Sequence, residues 1–187
     1  MFWSRKNKIN ETNIAPNADY GSHFIPLAYA ALNTFGPILE LGAGHFSTPL
    51  LHVICMNSER KLLTTDTSKA WLDEFKDLKT SWHEFQYIDV YEDDWELNPK
   101  PEKWDRLTEL NEKWGVVFVD HRPGERRKVD IEKYKDKAEI LIVHDTQEPG
   151  YDFESVMHLF KFRLDYKRFP TWTTLLSNYK DISALVF

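Results

Sequence analysis

The sequence predicts an α/β protein: a mostly parallel sheet with helices on both faces and an antiparallel hairpin at its C-terminal edge. Two observations carry this. Short apolar runs alternate with segments of helical spacing, the pattern of a parallel sheet wrapped by helices, and the last stretch is rich in strand-forming runs. The polar segment 1–20 contains Pro16 and reads as an arm or lid, leaving 21–187 as the domain. Ser22 is placed to cap a helix over His23 to Asn33, with Pro26 tolerated in its first turn. Gly36-Pro37 stops that helix, and Ile38, Leu39 and Leu41 form a doubly covered strand. A helix from Ser47 to Met56, a strand over Lys61 to Asp66 and a helix over Lys69 to Leu78 follow. A third strand is expected over Phe85 to Val90, a loop to Lys103, and a short helix from Trp104 to Leu110. Trp114 to Asp120 and Ala138 to Asp145 are the clearest buried strands, flanking a polar helix at 125–135. Beyond a helix at Phe153 to Phe160, closing strands are read at Tyr166 to Phe169, Thr173 to Leu176 and Ser183 to Phe187.

Composition limits the function classes. With 187 residues, 42% hydrophobic and 29% charged, the chain reads as one soluble globular domain. Its net charge of −6 and lack of a long basic run argue against wrapping a nucleic-acid backbone. No apolar run approaches the ~20 residues of a membrane span, and the N-terminus lacks an apolar signal region, so no membrane is expected. Cys55 is the only cysteine, which points to a reducing, cytoplasmic setting.

The densest motif is Pro37-Ile-Leu-Glu40-Leu-Gly42-Ala43-Gly44, a strand carrying an acid and running into a glycine turn. Glycines here free the backbone dihedrals and let a ligand approach the main chain. A dinucleotide fingerprint needs a third glycine where Ser47 stands. Five successive strands then end on acids or a His-Asp pair: Glu40, Asp66, Asp89, Asp120 and His144-Asp145. In open α/β sheets ligands bind outside those strand ends.

This pattern resembles class I S-adenosylmethionine (SAM) methyltransferases, whose first motif is E/D-x-G-x-G and whose sheet is seven-stranded and Rossmann-like. The resemblance implies that Glu40, Gly42, Ala43 and Gly44 cradle SAM, that Asp66 meets the ribose hydroxyls, and that Asp89 meets the adenine amino group. Asp66 also suits a helix N-cap, a role Thr67 or Ser68 can fill instead. Val116 to His121 followed by Ile140 to Asp145 is similar to the divalent-metal-dependent O-methyltransferases of the catechol and sugar types. That similarity implies Asp120, His144 and Asp145 as ligands of Mg²⁺ or Mn²⁺. His144 is the departure, since imidazole suits Mn²⁺ better than Mg²⁺. His121 or His144 is then the candidate base beside Asp120, because the base of the catechol enzymes is replaced by Pro123.

The expected activity is SAM-dependent O-methylation of a small-molecule or glycan hydroxyl, with a sugar favoured by the seven Trp. Small domains of this kind also occur within larger glycan-building proteins. Trp95, Trp104 and Trp172 are candidate sugar platforms, although core filling is the favoured reading for each taken singly. Arg122 to Lys128 reads either as an anion clamp or as a solvated helix start. His45 either faces the pocket or packs at a helix start, and His23, His52, His83 and His158 are assigned no function. Two rivals stand beside this: a metal-independent enzyme with His144 as base oriented by Asp145, and a Rossmann-like nucleotide-sugar enzyme. A non-catalytic module of the same fold is a third.

Overall fold

A computed structural model of the chain describes residues 21–91, 99–107 and 113–183. The arm at 1–20, Trp95 and the strand expected to end at Phe187 lie outside the described residues or run out of them. Seven strands form one sheet: β1 (Ile38–Leu41), β2 (Leu62–Asp66), β3 (His83–Tyr87), β4 (Trp114–Val119), β5 (Ala138–His144), β6 (Phe162–Tyr166) and β7 (Thr173–Ser177). Their order is β3-β2-β1-β4-β5-β7-β6. The strands from β3 to β5 are parallel, whereas β7 pairs antiparallel with both β5 and β6. This is the predicted fold, with strand order reversing between β1 and β4, the place where such sheets open a crevice.

The helices are α1 (Phe24–Leu32), α2 (Thr48–Met56), α3 (Lys69–Asp73), α4 (Arg127–Tyr134) and α5 (Glu154–Met157). Alternate side chains of the central strands feed two apolar cores, which is why β1, β4 and β5 read as continuous hydrophobic runs. Ile38, Val116, Phe118, Ile140 and Ile142 pack with Leu27, Ala30 and Ala31 of α1 and with Leu51 and Cys55 of α2. On the other face Leu39, Val117, Val119, Leu141 and Val143 pack with Trp104, with Ile131 and Tyr134 of α4, and with Met157 of α5.

Several expected boundaries shift. β3 ends at Tyr87, so Asp89 lies past the strand, exposed and bonded to the Tyr87 hydroxyl at 2.8 Å. The segment expected to be helical from Trp104 is a 3-10 turn over Pro101–Arg106 that buries Trp104. β6 precedes its expected start, because Phe162–Tyr166 is the stretch that registers against β7. Ser22 does not cap α1, whose first residue is preceded by His23 without a side-chain cap. Ser68 does cap α3, accepting from the Trp71 N–H at 3.2 Å.

Register places the chemistry. Leu41 is level with Val119, and Val119 with Val143, so Gly42, Asp120 and His144 emerge side by side at one sheet edge. Asp120 donates its N–H to Leu41 O at 2.8 Å. Gly42 has φ +99°, and a Cβ there would stand 2.7 Å from the Asp120 carbonyl. The glycine is therefore required by close approach of β4 to the turn as well as by its dihedral. Gly42→Ala is expected to lower stability by about 1–3 kcal/mol from the backbone conformation alone, with the clash adding to it. A urea midpoint equal to that of the wild type contradicts this.

Candidate functional site

The turn after β1 is held from beneath by a buried polar chain. Gly44 donates its N–H to Thr48 Oγ1 at 3.0 Å, and Thr48 donates in turn to Glu40 Oε2 at 3.0 Å. Thr64 of β2 also donates to Glu40 Oε2, at 2.7 Å, and lies 3.0 Å from His83 Nε2. His83 Nδ1 meets His52 Nδ1 at 3.0 Å. Since the Thr64 proton goes to Glu40, His83 must donate from Nε2 and accept at Nδ1, and His52 must donate from Nδ1. Burial, helped by His52, pushes the His83 pKa down to about 3, so it is neutral here. Burial also raises Glu40 to about 7 against the opposing hydroxyl bonds. Glu40 is thus a fastening of the turn and is not among the residues lining the cavity above it.

That cavity, about 390 Å³, opens at the switch point. Asp66, Trp71, Tyr91, Asp120, His121 and Arg122 line it, with the Ala43 main chain. Asp66 accepts from the Ala43 N–H at 3.0 Å with one oxygen and from the Ser68 N–H at 2.8 Å with the other. These bonds aim the carboxylate while leaving it lone pairs for a ligand. Burial raises the Asp66 pKa, opposed by those N–H groups and by Arg122. Trp71 donates its indole N–H to Ala43 O at 2.7 Å, tying the cavity's aromatic wall to the turn. Asp89 is not part of the lining.

Asp120 belongs both to the cavity wall and to the cluster behind it. His144 Nδ1 lies 3.2 Å from Asp120 Oδ1 and 3.5 Å from Asp145 Oδ1. His144 Nε2 lies 2.9 Å from Ser22 Oγ, which is 2.7 Å from Thr171 Oγ1. The Ser22 hydroxyl can donate to a neutral His144, or accept from a charged one while donating to Thr171. Both states of the ring are bonded without moving a heavy atom. Burial alone would raise the Asp120 pKa, but the His144 and Arg127 charges outweigh it and hold it below the usual range.

Arg127, the first residue of α4 and only 5% exposed, spans both strand ends. Its guanidinium lies 3.0 Å from Asp120 Oδ1 and 3.0 Å from Asp145 Oδ2. It also donates to the main-chain oxygens of His121, Asp120 and His144 at 2.8, 3.1 and 3.3 Å. Arg126 is buried too, bonded to Asp130 and Asp105. The basic stretch is therefore a set of internal counter-charges, neither a free clamp nor a solvated helix start at these two positions. His121 Nε2 is committed to Asp130 at 2.9 Å and its ring packs edge-on to Trp104. Burial keeps its pKa below the ordinary value, against the pull of Asp130.

The structure thus brings together Ala43, Asp66, Asp120 and His121 around the cavity, with His144 and Asp145 behind it, while Gly42 and Gly44 shape the turn without lining the cavity. Among the described residues, the set whose donor atoms lie within 4.8 Å of one another is His23, Asp120 and His144, not the expected set with Asp145. His45 lies 3.4 Å from Glu74 and packs edge-on to Trp71. Sequence reasoning missed Arg127, Ser22, Thr171 and His23. Only a basic residue shortly after a strand-end acid hinted at any of them.

No protein-family model and no curated protein matches the chain. Solved structures do. A putative caffeoyl-CoA O-methyltransferase from Staphylococcus aureus aligns with TM-score 0.60 at 11% identity, over 89% of this chain and 88% of that one. The O-methyltransferase TomG from Streptomyces achromogenes, solved with SAM, gives 0.57 at 15%, over 86% and 82%. An rRNA methylase from Streptococcus thermophilus gives 0.56 at 17%, over 89% and 99%. The chain has the class I methyltransferase fold. No helix among the described residues is long and apolar enough to cross a membrane.

The raised Glu40 pKa sets a pH dependence. Between about pH 4.5 and 7 the folded protein keeps a proton that the unfolded chain has released, so stability falls as pH rises through that window. The loss is on the order of 3 kcal/mol. Urea unfolding at pH 5 and pH 8 is expected to show a smaller loss for Glu40→Gln than for wild type. Equal losses contradict the assignment.

Proposed function

We propose that the protein is a SAM-dependent O-methyltransferase whose cofactor lies between Asp66 and Asp120. One observation carries this reading: a single cavity at the switch point has a pre-aimed carboxylate at Asp66 and, in its other wall, Asp120, which is bonded to His144 behind it. The residues fit the cofactor. The volume of about 390 Å³ falls in the range of small-molecule sites. Asp66 offers acceptors to paired hydroxyls, and Trp71 and Tyr91 offer flat apolar surface beside it. When bound, SAM supplies an electrophilic methyl on a sulfonium. TomG, solved with SAM, shares the fold, which supports the choice of ligand.

In this reading Asp120 stays ionised and orients His144, whose kind of side chain takes and gives protons near neutral pH. The acceptor proton reaches His144 Nε2 by way of Ser22. His121, with its Nε2 bonded to Asp130, serves the cavity wall better than it serves as base. Asp89, Glu40 and Gly44 contribute at a remove, the last two through the fastening of the turn. The acceptor is a small-molecule hydroxyl, with a sugar retained. Trp104 is buried, while Trp172 is 36% exposed with Lys167 Nζ 4.2 Å over its ring. A net charge of −6 favours these acceptors over a nucleic-acid backbone. A second reading, cation-assisted transfer, is favoured by the convergence of His23, Asp120 and His144.

Calorimetry is expected to show binding of SAM and S-adenosylhomocysteine but not NAD, and Asp66→Ala to weaken it about 10- to 100-fold. No binding of either SAM species ends the reading. With radiolabelled SAM and a panel of sugars, His144→Ala should cut turnover at least about 100-fold. Full activity in that variant removes His144 as base.

A further inference from the structure

We infer that Arg127 occupies the place of the divalent cation that the resemblance to metal-dependent O-methyltransferases implies, so that this site works without a metal. The inference rests on the methyltransferase reading for its purpose, but its evidence is the geometry of the strand ends. The cation implied by the resemblance would draw on Asp120 and Asp145, the acids that directly follow β4 and β5. Those two carboxylates already share one cation: the fork of Arg127 reaches Asp120 Oδ1 and Asp145 Oδ2 at 3.0 Å each.

The guanidinium is built into the fold and is not a passing surface partner. Four hydrogen bonds hold it, to His121 O, Asp120 O, His144 O and Asp145 Oδ2. The Tyr151 ring lies 5.2 Å from its centre. Arg suits this task because its donors form a rigid planar fork, which a Lys lacks. Such a buried charge is stable only with its counter-charges in place, so a dication entering between the two acids would compete with a fixed positive group.

The nitrogen ligand is engaged as well. His144 Nδ1 faces Asp120 and Asp145, and Nε2 faces Ser22. Ligation would break one of these bonds while the guanidinium stayed beside the ion. The expected donor set of Asp120, His144 and Asp145 is thus already engaged from within. Arg127 acts as a positioning residue: it fixes both carboxylates and, through Asp120, the plane of the His144 ring.

The test reads metal binding directly and does not depend on an acceptor. Protein stripped with EDTA is titrated with Mn²⁺, and free Mn²⁺ is followed by electron paramagnetic resonance. The wild type is expected to show no saturable binding, and its calorimetric affinity for S-adenosylhomocysteine to be unchanged by Mn²⁺. Arg127→Gln, or Arg127→Met should the first not fold, is expected to gain one Mn²⁺ site that Asp120→Asn then removes. Saturable Mn²⁺ binding by the wild type, lost in His23→Ala or Asp120→Asn, overturns the inference. So does a folded Arg127 variant that gains no site. Failure of S-adenosylhomocysteine to bind would instead strike the methyltransferase reading and leave the Mn²⁺ result standing.

Discussion

The guanidinium of Arg127 is the joint on which the site depends. Parallel register brings the ends of β4 and β5 together, but it also brings two carboxylates into a largely buried place. Without a cation those charges would repel one another and lack solvation. Arg127 supplies the charge and ties down three carbonyls at the same edge. Asp120 can then stay ionised, and His144 has an acceptor that fixes the orientation of its ring.

A second polar system supports the other half of the cavity. Glu40 is fully buried in β1, and its bonds to Thr48 and Thr64 run from the glycine turn to the neighbouring strand. The turn is therefore set by a carboxyl below it and by Asp66 above it, which takes the Ala43 N–H. Gly42 allows the backbone of Asp120 to press against the same turn. The two halves of the site meet there, so displacement of either strand end would be felt in both.

Much of this was legible in the sequence because doubly covered strands leave a plain signature. Val116 to Val119 and Ile140 to Val143 are buried on both faces, and their apolar runs gave away β4 and β5. Acids following such runs marked the sheet edge where Asp66 and Asp120 line the cavity. β3 was harder to bound because His83–Tyr87 is only partly covered, so its pattern does not stop sharply at the strand end. Arg127 was illegible as a counter-charge because a basic stretch at a helix start is usually solvated, and the sequence does not show that its side chain turns back to two strand ends 7 and 18 positions away. Ser22 looked like a helix cap for a similar reason: its hydroxyl is used by His144, 122 positions away. Glu40 was read as a ligand because an acid beside a glycine turn shows its charge but not the direction of its side chain.

The most direct measurement is a crystal structure of the protein grown with S-adenosylhomocysteine and Mn²⁺, with anomalous data collected for manganese. The expected map has the nucleoside in the cavity between Asp66 and Asp120, Arg127 still bridging Asp120 and Asp145, and no manganese peak beside them. An empty cavity, or a manganese peak against Asp120 and His144 with Arg127 displaced, would contradict this account.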